Sequence, residues 1–398
     1  MNFSKKVVET PQALSVYLNQ LVYELRSRKK NIVTLSLGES FFDIPFFGIE
    51  NINFTKGYHY SDSKGLKELR IKIAKFYNEY YGTNINYEKV LISAGSKIIL
   101  YMCFLSLLNN KEEILIHEPA WLSYKEQVKL ANGKPKFFPY NEDLKNLKKY
   151  ITKKTKAFVI NNPNNPVGKL YSKKELHYIF KICRQKNIFL IVDEAYSDFV
   201  INGKFFSCAN LDSNLDNLII VNSLSKNLGM SGWRIGYLIT NPSFLILIEK
   251  LNQHLITCAP TFLQMYMEKN FEKILSYTLP QIKNLLYKRQ RIQTFLKELK
   301  FEYLEGNSTF YFFINISKYN QNAFTLCINL LIDESISIVP GNAYGENTNN
   351  FLRISIGTES EDKIYQSLKI LKYKLEDKKY TIENTLKKLD TNSLARFD

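Results

Sequence analysis

The chain has 398 residues, enough for two domains, and its 45% hydrophobic and 23% charged content is ordinary globular usage; collagen, coiled coil and wholesale disorder are excluded. Lys and Arg (54) outnumber Asp and Glu (38), a formal net charge of +16. Such a balance attracts nucleic acid, anionic lipid or acidic metabolites, but here it is spread along the chain as on a solvated Lys-rich surface. Strand-like apolar runs occupy residues 90–93, 114–117, 157–160, 188–192 and 218–221. Helically spaced stretches separate them; in 172–186, Leu176, Ile179, Phe180 and Cys183 share one face. This alternation predicts a mostly parallel sheet covered by helices on both faces. Near residues 277–280 the pattern changes to a charged amphipathic helix over 279–299, strands over 310–316 and 351–356, and a Lys-rich helix. The expected organisation is a large α/β domain over 46–280 and a smaller α+β domain over 281–398, with 1–45 packing on the small one. The polar stretch 377–398 reads as a peripheral helix or a frayed end.

Five cysteines stand far apart without a CxxC pair, and four histidines lack ligand spacing. Reduced thiols in a cytoplasmic protein are expected, with no metal site. No apolar segment follows Met1-Asn-Phe-Ser-Lys-Lys, and the longest apolar run, 98–108, is too short for a bilayer. Neither a signal peptide nor a membrane span is expected.

Ligands of an open parallel sheet bind beyond the carboxyl ends of its strands. Four strand-like runs there deliver Ala94-Gly95-Ser96-Lys97, Asn161-Asn-Pro-Asn-Asn-Pro-Val-Gly168, Asp193-Glu194-Ala195-Tyr196, and Asn222-Ser223-Leu224-Ser225-Lys226 followed by Gly232-Trp-Arg234. Singly, each has a bland reading: a solvated lysine, a turn, a helix start. Together they place a nucleophilic amine, an acid, a phenol and several anion donors around one cleft. That set suits a phosphate-bearing cofactor held as a Schiff base.

With Leu35-Ser-Leu-Gly38-Glu before Pro45, Tyr60-Ser-Asp-Ser-Lys-Gly65, Trp121 in Glu118-Pro-Ala-Trp, and Arg353-Ile-Ser-Ile-Gly357, the chain resembles the fold-type I pyridoxal-phosphate enzymes. Within them it is similar to class I aminotransferases of the aspartate aminotransferase type, from about Leu35 to Gly357. The resemblance implies a seven-stranded, mostly parallel sheet in the large domain and pyridoxal 5'-phosphate as cofactor. It implies that Lys226 forms the aldimine and carries the proton, and that Asp193 pairs with the ring nitrogen. Tyr196 and Asn165 face the ring oxygen, and Trp121 stacks on the ring. Gly95, Ser96, Ser223, Ser225 and Arg234 hold the phosphate, joined by Tyr60 of a second copy in a homodimer. Arg353, Gly38 and Asn165 hold the substrate carboxylate. Lys97 stands where a lysine holds the distal carboxylate of an acidic substrate, which suggests glutamate or aspartate as donor. Ile98 and Ile99 replace the usual polar and small residues beside it, and Gly38-Glu39-Ser40 lacks the usual proline, changes expected to border the substrate entrance.

The same machinery serves decarboxylation of a (phospho)amino acid or β-elimination, because these residues serve the cofactor rather than the bond cleaved. A nucleic-acid-binding regulator normally adds a helix-turn-helix module, and too few residues precede Leu35 to hold one. The expected partners are therefore a small amino donor and an oxo acceptor, not nucleic acid or membrane.

Overall fold

A computed structural model describes residues 3–201, 205–377 and 380–397; residues 1, 2, 202–204, 378, 379 and 398 lie outside it. The expected N-terminal Met1 and parts of the 377–398 tail thus fall outside the described residues, while the tail's described part contains a helix over Ile382–Thr391. No helix among the described residues is long and apolar enough to cross a membrane.

Seven strands form the large sheet: β1 (Val90–Ser93), β2 (Glu113–His117), β3 (Lys134–Phe138), β4 (Thr155–Asn161), β5 (Phe189–Asp193), β6 (Leu218–Ser223) and β7 (Gly236–Thr240). Their order is β1-β7-β6-β5-β4-β2-β3, and only β7 runs antiparallel to its neighbours. The interior strands are buried on both faces, which is why they read as unbroken apolar runs. The five runs anticipated from sequence coincide with β1, β2, β4, β5 and β6 to within two residues. β3 escaped notice because it is an edge strand, Lys-Pro-Lys-Phe-Phe, alternately exposed. β7 escaped it because its five residues directly follow the Gly-Trp-Arg turn.

Helices cover the sheet. α1 (Ser96–Leu107) follows β1 directly, and α2 (Lys173–Gln185) starts with a capping box in which Ser172 and Glu175 bond each other's backbone N–H. α3 (Thr261–Glu298) is one helix of 38 residues with Pro280 inside it, not a helix that begins at 279. A proline there costs about 3 kcal/mol. Burial on both sides outweighs this: Met267, Phe271 and Ile274 enter the core of the large sheet, and Ile282, Leu285, Leu286 and Ile292 enter a second core, each contributing about 1.5–3 kcal/mol.

The second core lies against an antiparallel sheet ordered Val339–Pro340, Phe351–Ser355, Tyr311–Asn315, Glu302–Tyr303. The N-terminal helix Leu14–Ser27 packs Leu18, Leu21 and Leu25 with Phe313, Ile328 and Val339 of that part. Val33–Thr34 pairs in parallel with Ile336–Ser337.

Candidate active site

A cavity of about 560 Å³, the size of a small-molecule site, opens where β5, β6 and the Gly95–Ser96 turn end and the smaller sheet begins. Gly38, Ser96, Lys97, Trp121, Asn165, Asp193 and Tyr196 line it. So do Ser223, Ser225, Lys226, Arg234 and Arg353. Gly95 stands directly behind Ser96. Tyr60 is not in the cavity; it is 84% exposed and borders a separate cleft with Asn53, His59 and Met265.

Strand ends set the chemistry. Asp193 is the last residue of β5 and is buried. Its Oδ2 accepts from Tyr124 Oη at 2.6 Å and its Oδ1 from the Ala195 N–H at 3.1 Å. Burial pushes its carboxyl above the usual range, opposed by these bonds and by the Lys226 charge. A carboxylate so placed is costly without a cationic partner, and the cavity in front of it is where one fits. The Asn161 Nδ2 donates to the Asp193 carbonyl, and Asn161 Oδ1 accepts the Asn165 N–H at 2.6 Å. Asn165 Nδ2 reaches Tyr196 Oη at 3.4 Å, while its buried Oδ1 has no partner among the described residues. Tyr196 Oη shares a 2.8 Å bond with Tyr311 Oη.

Lys226 follows β6 on the short helix Leu224–Asn227, which Ser223 caps by accepting the Ser225 N–H. Its Nζ donates to the Gly38 carbonyl and lies 5.9 Å from the Tyr196 ring centre. Burial lowers its pKa to about 8; Glu39 and Asp193 oppose the shift, Arg353 and Arg234 add to it. Arg353 is buried with its guanidinium carbon 4.7 Å from the Tyr311 ring and 5.3 Å from the Tyr344 ring. It donates to the Ser36 carbonyl, and its Nε has no partner among the described residues.

At the other end, Gly95 (φ 93°) turns the chain into α1, whose first residues Ser96 and Lys97 line the cavity, and a helix start offers N–H groups without intrahelical partners. A Cβ on Gly95 would stand 2.7 Å from Arg234 Nη2. Ser223 Oγ donates to Ser225 Oγ at 2.7 Å beside it. Lys97 stands at the rim, 5.3 Å from the Trp121 ring centre; partial desolvation, and then the Arg234 charge, lower its pKa. Ile98 and Ile99 do not border the entrance: Ile99 is buried and Ile98 packs on the same core, because α1 turns them away from the cavity.

Glu39 lines this cavity, as expected of a residue bordering the entrance; Tyr124, Tyr311, and Ser15, Val16 and Asn19 of the N-terminal helix also face it or its lining groups, and sequence reasoning missed these roles. Tyr124 had a faint signal, three residues beyond Trp121 on the same segment. Tyr311 had none, since it comes from another sheet. An anion-binding helix start with serines and Arg234, a buried acid at the floor, an unpartnered amide oxygen and an enclosed amine fit pyridoxal phosphate.

Residues 50–366 match the family model described as aminotransferase class I and II. The (5-formylfuran-3-yl)methyl phosphate transaminase of Methanocaldococcus jannaschii is 31% identical over 86% of this chain and 91% of its own. The aspartate aminotransferase of Thermotoga maritima is 30% identical over 90% and 95%. A solved structure from Methanococcus jannaschii, described as similar in its active site to kynurenine aminotransferases, superposes with a TM-score of 0.84 at 30% identity, covering 94% of this chain and 100% of that one. These names favour transamination over the decarboxylation and elimination the same residues could serve. The chain belongs to the class I and II aminotransferases and is a pyridoxal-phosphate-dependent transaminase.

Proposed function

We propose that this aminotransferase takes its amino group from glutamate or aspartate and passes it to an oxo acceptor, with Lys226 as the reacting amine. The observation that carries this reading is one cavity holding Lys226 between the buried acid Asp193 and three cationic side chains, Arg353, Arg234 and Lys97. Pyridoxal phosphate, when bound, supplies the carbonyl that receives the amino group and a ring that draws electrons from the substrate α-carbon. Burial lowers the Lys226 pKa to about 8, so a fraction of the amine is unprotonated near neutrality and can accept the proton from the α-carbon, then hold it at Nζ. Asp193, hydrogen-bonded by Tyr124 and the Ala195 N–H, would hold the ring nitrogen's proton; Trp121 would cover the ring face, and Tyr196 with Asn165 would meet the ring oxygen. Gly95, Ser96, Ser223, Ser225 and Arg234 take the phosphate. Arg353 and the Gly38 backbone take the α-carboxylate, and Lys97 takes the distal one.

The high exposure of Tyr60 outside the cavity supports its reaching the phosphate of a second copy in a homodimer. The separate cores support a division into 46–280 and 281–398 with 1–45 on the latter, and the scattered free cysteines support a reducing, cytoplasmic setting. Mixing the holoenzyme with glutamate tests the donor: the visible absorption of the bound cofactor should disappear as it takes up the amino group. Lys97→Ala should weaken glutamate about 10-fold more than alanine, the order expected of one charged hydrogen bond. Release of CO₂ without the spectral change, or equal effects on the two amino acids, contradicts the proposal.

A further inference from the structure

We infer that Glu118 is a positioning residue for the substrate α-carboxylate, acting through the turn that backs Arg353. The inference rests on the reading of Arg353 as that carboxylate's partner. Glu118 follows β2 at its carboxyl end and is 2% exposed. A carboxylate so buried must have its lone pairs met, and among the described residues no salt bridge includes it. Instead its Oε1 accepts the Glu346 backbone N–H, and its Oε2 accepts Asn347 Nδ2 at 2.9 Å. Both donors belong to the turn joining Val339–Pro340 to Phe351–Ser355. The approach leaves no room for a side chain at Gly345, where a Cβ would stand 2.5 Å from Glu118 Oε1.

Other bonds make that turn a unit. The Ala120 N–H donates to the Tyr344 carbonyl at 2.8 Å. Thr348 Oγ1 donates to the Gly341 carbonyl at 2.7 Å. Tyr344, held in this way, lays its ring 5.3 Å from the Arg353 guanidinium carbon, which Tyr311 also approaches at 4.7 Å. One residue beyond Ala120, Trp121 lines the cavity. The segment 118–121 thus carries the ring-facing indole and, through Glu118, steadies the Arg353 fork. A fork fixed before binding loses less freedom when a carboxylate arrives.

The test uses the holoenzyme and maleate, a dicarboxylate probe, in titration calorimetry. Glu118→Ala should weaken maleate about 10-fold and raise KM for glutamate by a similar factor, with kcat and cofactor affinity changed by less than about threefold. Glu118→Gln should restore most of the loss, since its oxygen still accepts from Glu346 and the Asn347 amide can invert. Asn347→Ala removes one of the same bonds with an intact Glu118 and should show a smaller loss, about threefold; it carries the test if Glu118→Ala does not fold. Unchanged maleate affinity in both variants, or cofactor affinity falling in parallel, overturns the inference. Arg353→Leu separates the two levels: if it leaves maleate binding unchanged, the reading of Arg353 fails. If it abolishes binding while the Glu118 and Asn347 variants bind normally, only the positioning role fails.

Discussion

Glu194 adjoins Asp193 yet faces away from the cavity, into the core beneath the sheet. Its carboxyl is fully buried, taking bonds from Tyr77 Oη, Ser207 Oγ and the Cys208 N–H. Burial pushes its pKa up to about 8, against those bonds and helped by the Asp193 charge. The sign of the linkage follows: with the folded pKa above the unfolded one, Glu194 supports the fold fully at acid pH, and that support is lost as pH rises through about 8. Thermal scans from about pH 5 to about pH 9 should show the wild-type melting temperature falling relative to Glu194→Gln. Parallel curves would contradict this. At this scale the reacting residues were legible because Asp193 ends an apolar strand and Lys226 closely follows another, each inside a sequence block. Their supports were not: Tyr124 reaches Asp193 from 69 positions away and Tyr311 reaches Tyr196 from 115, and no local pattern encodes such a contact.

Among the elements, the start of α1 is the one whose shape most directly serves the cofactor. Gly95 sits at φ 93°, and a methyl group there would displace the Arg234 guanidinium as well as strain the backbone. Gly95→Ala should therefore weaken pyridoxal phosphate about 10-fold or more, the order of one charged hydrogen bond, while circular dichroism stays that of wild type. Equal affinity in equilibrium dialysis would remove this turn from the phosphate site. Elements with strong local signals were legible: α2 has its capping box and a regular apolar face, and β4 to β6 are unbroken apolar runs. β3 was not, because a Lys-Pro-Lys edge strand hides its buried face. Nor was the first half of α3, since proline normally marks a boundary and only packing on two cores carries the helix through it.

Across the whole molecule, α3 passes from the core of the large sheet to the core of the small one, and the cavity opens between the sheets these cores support. Two supports meet there: strand ends bring Asp193 and Lys226, and the smaller sheet brings Arg353 in register with Phe313 and Val339. The order of motifs along the chain made this convergence readable; the turn at 341–348 and its grip by Glu118 were not, since they depend on how the two parts meet. The net charge of +16 gave no guide, because the deciding charges are a handful gathered at one cavity. The most direct measurement is borohydride reduction of the holoenzyme followed by peptide mass mapping. The cofactor mass should appear on the peptide carrying Lys226, with the visible absorption lost and no such adduct in Lys226→Ala. An adduct on another lysine, or a bound chromophore that borohydride leaves untouched, would contradict the assignment of the reacting amine.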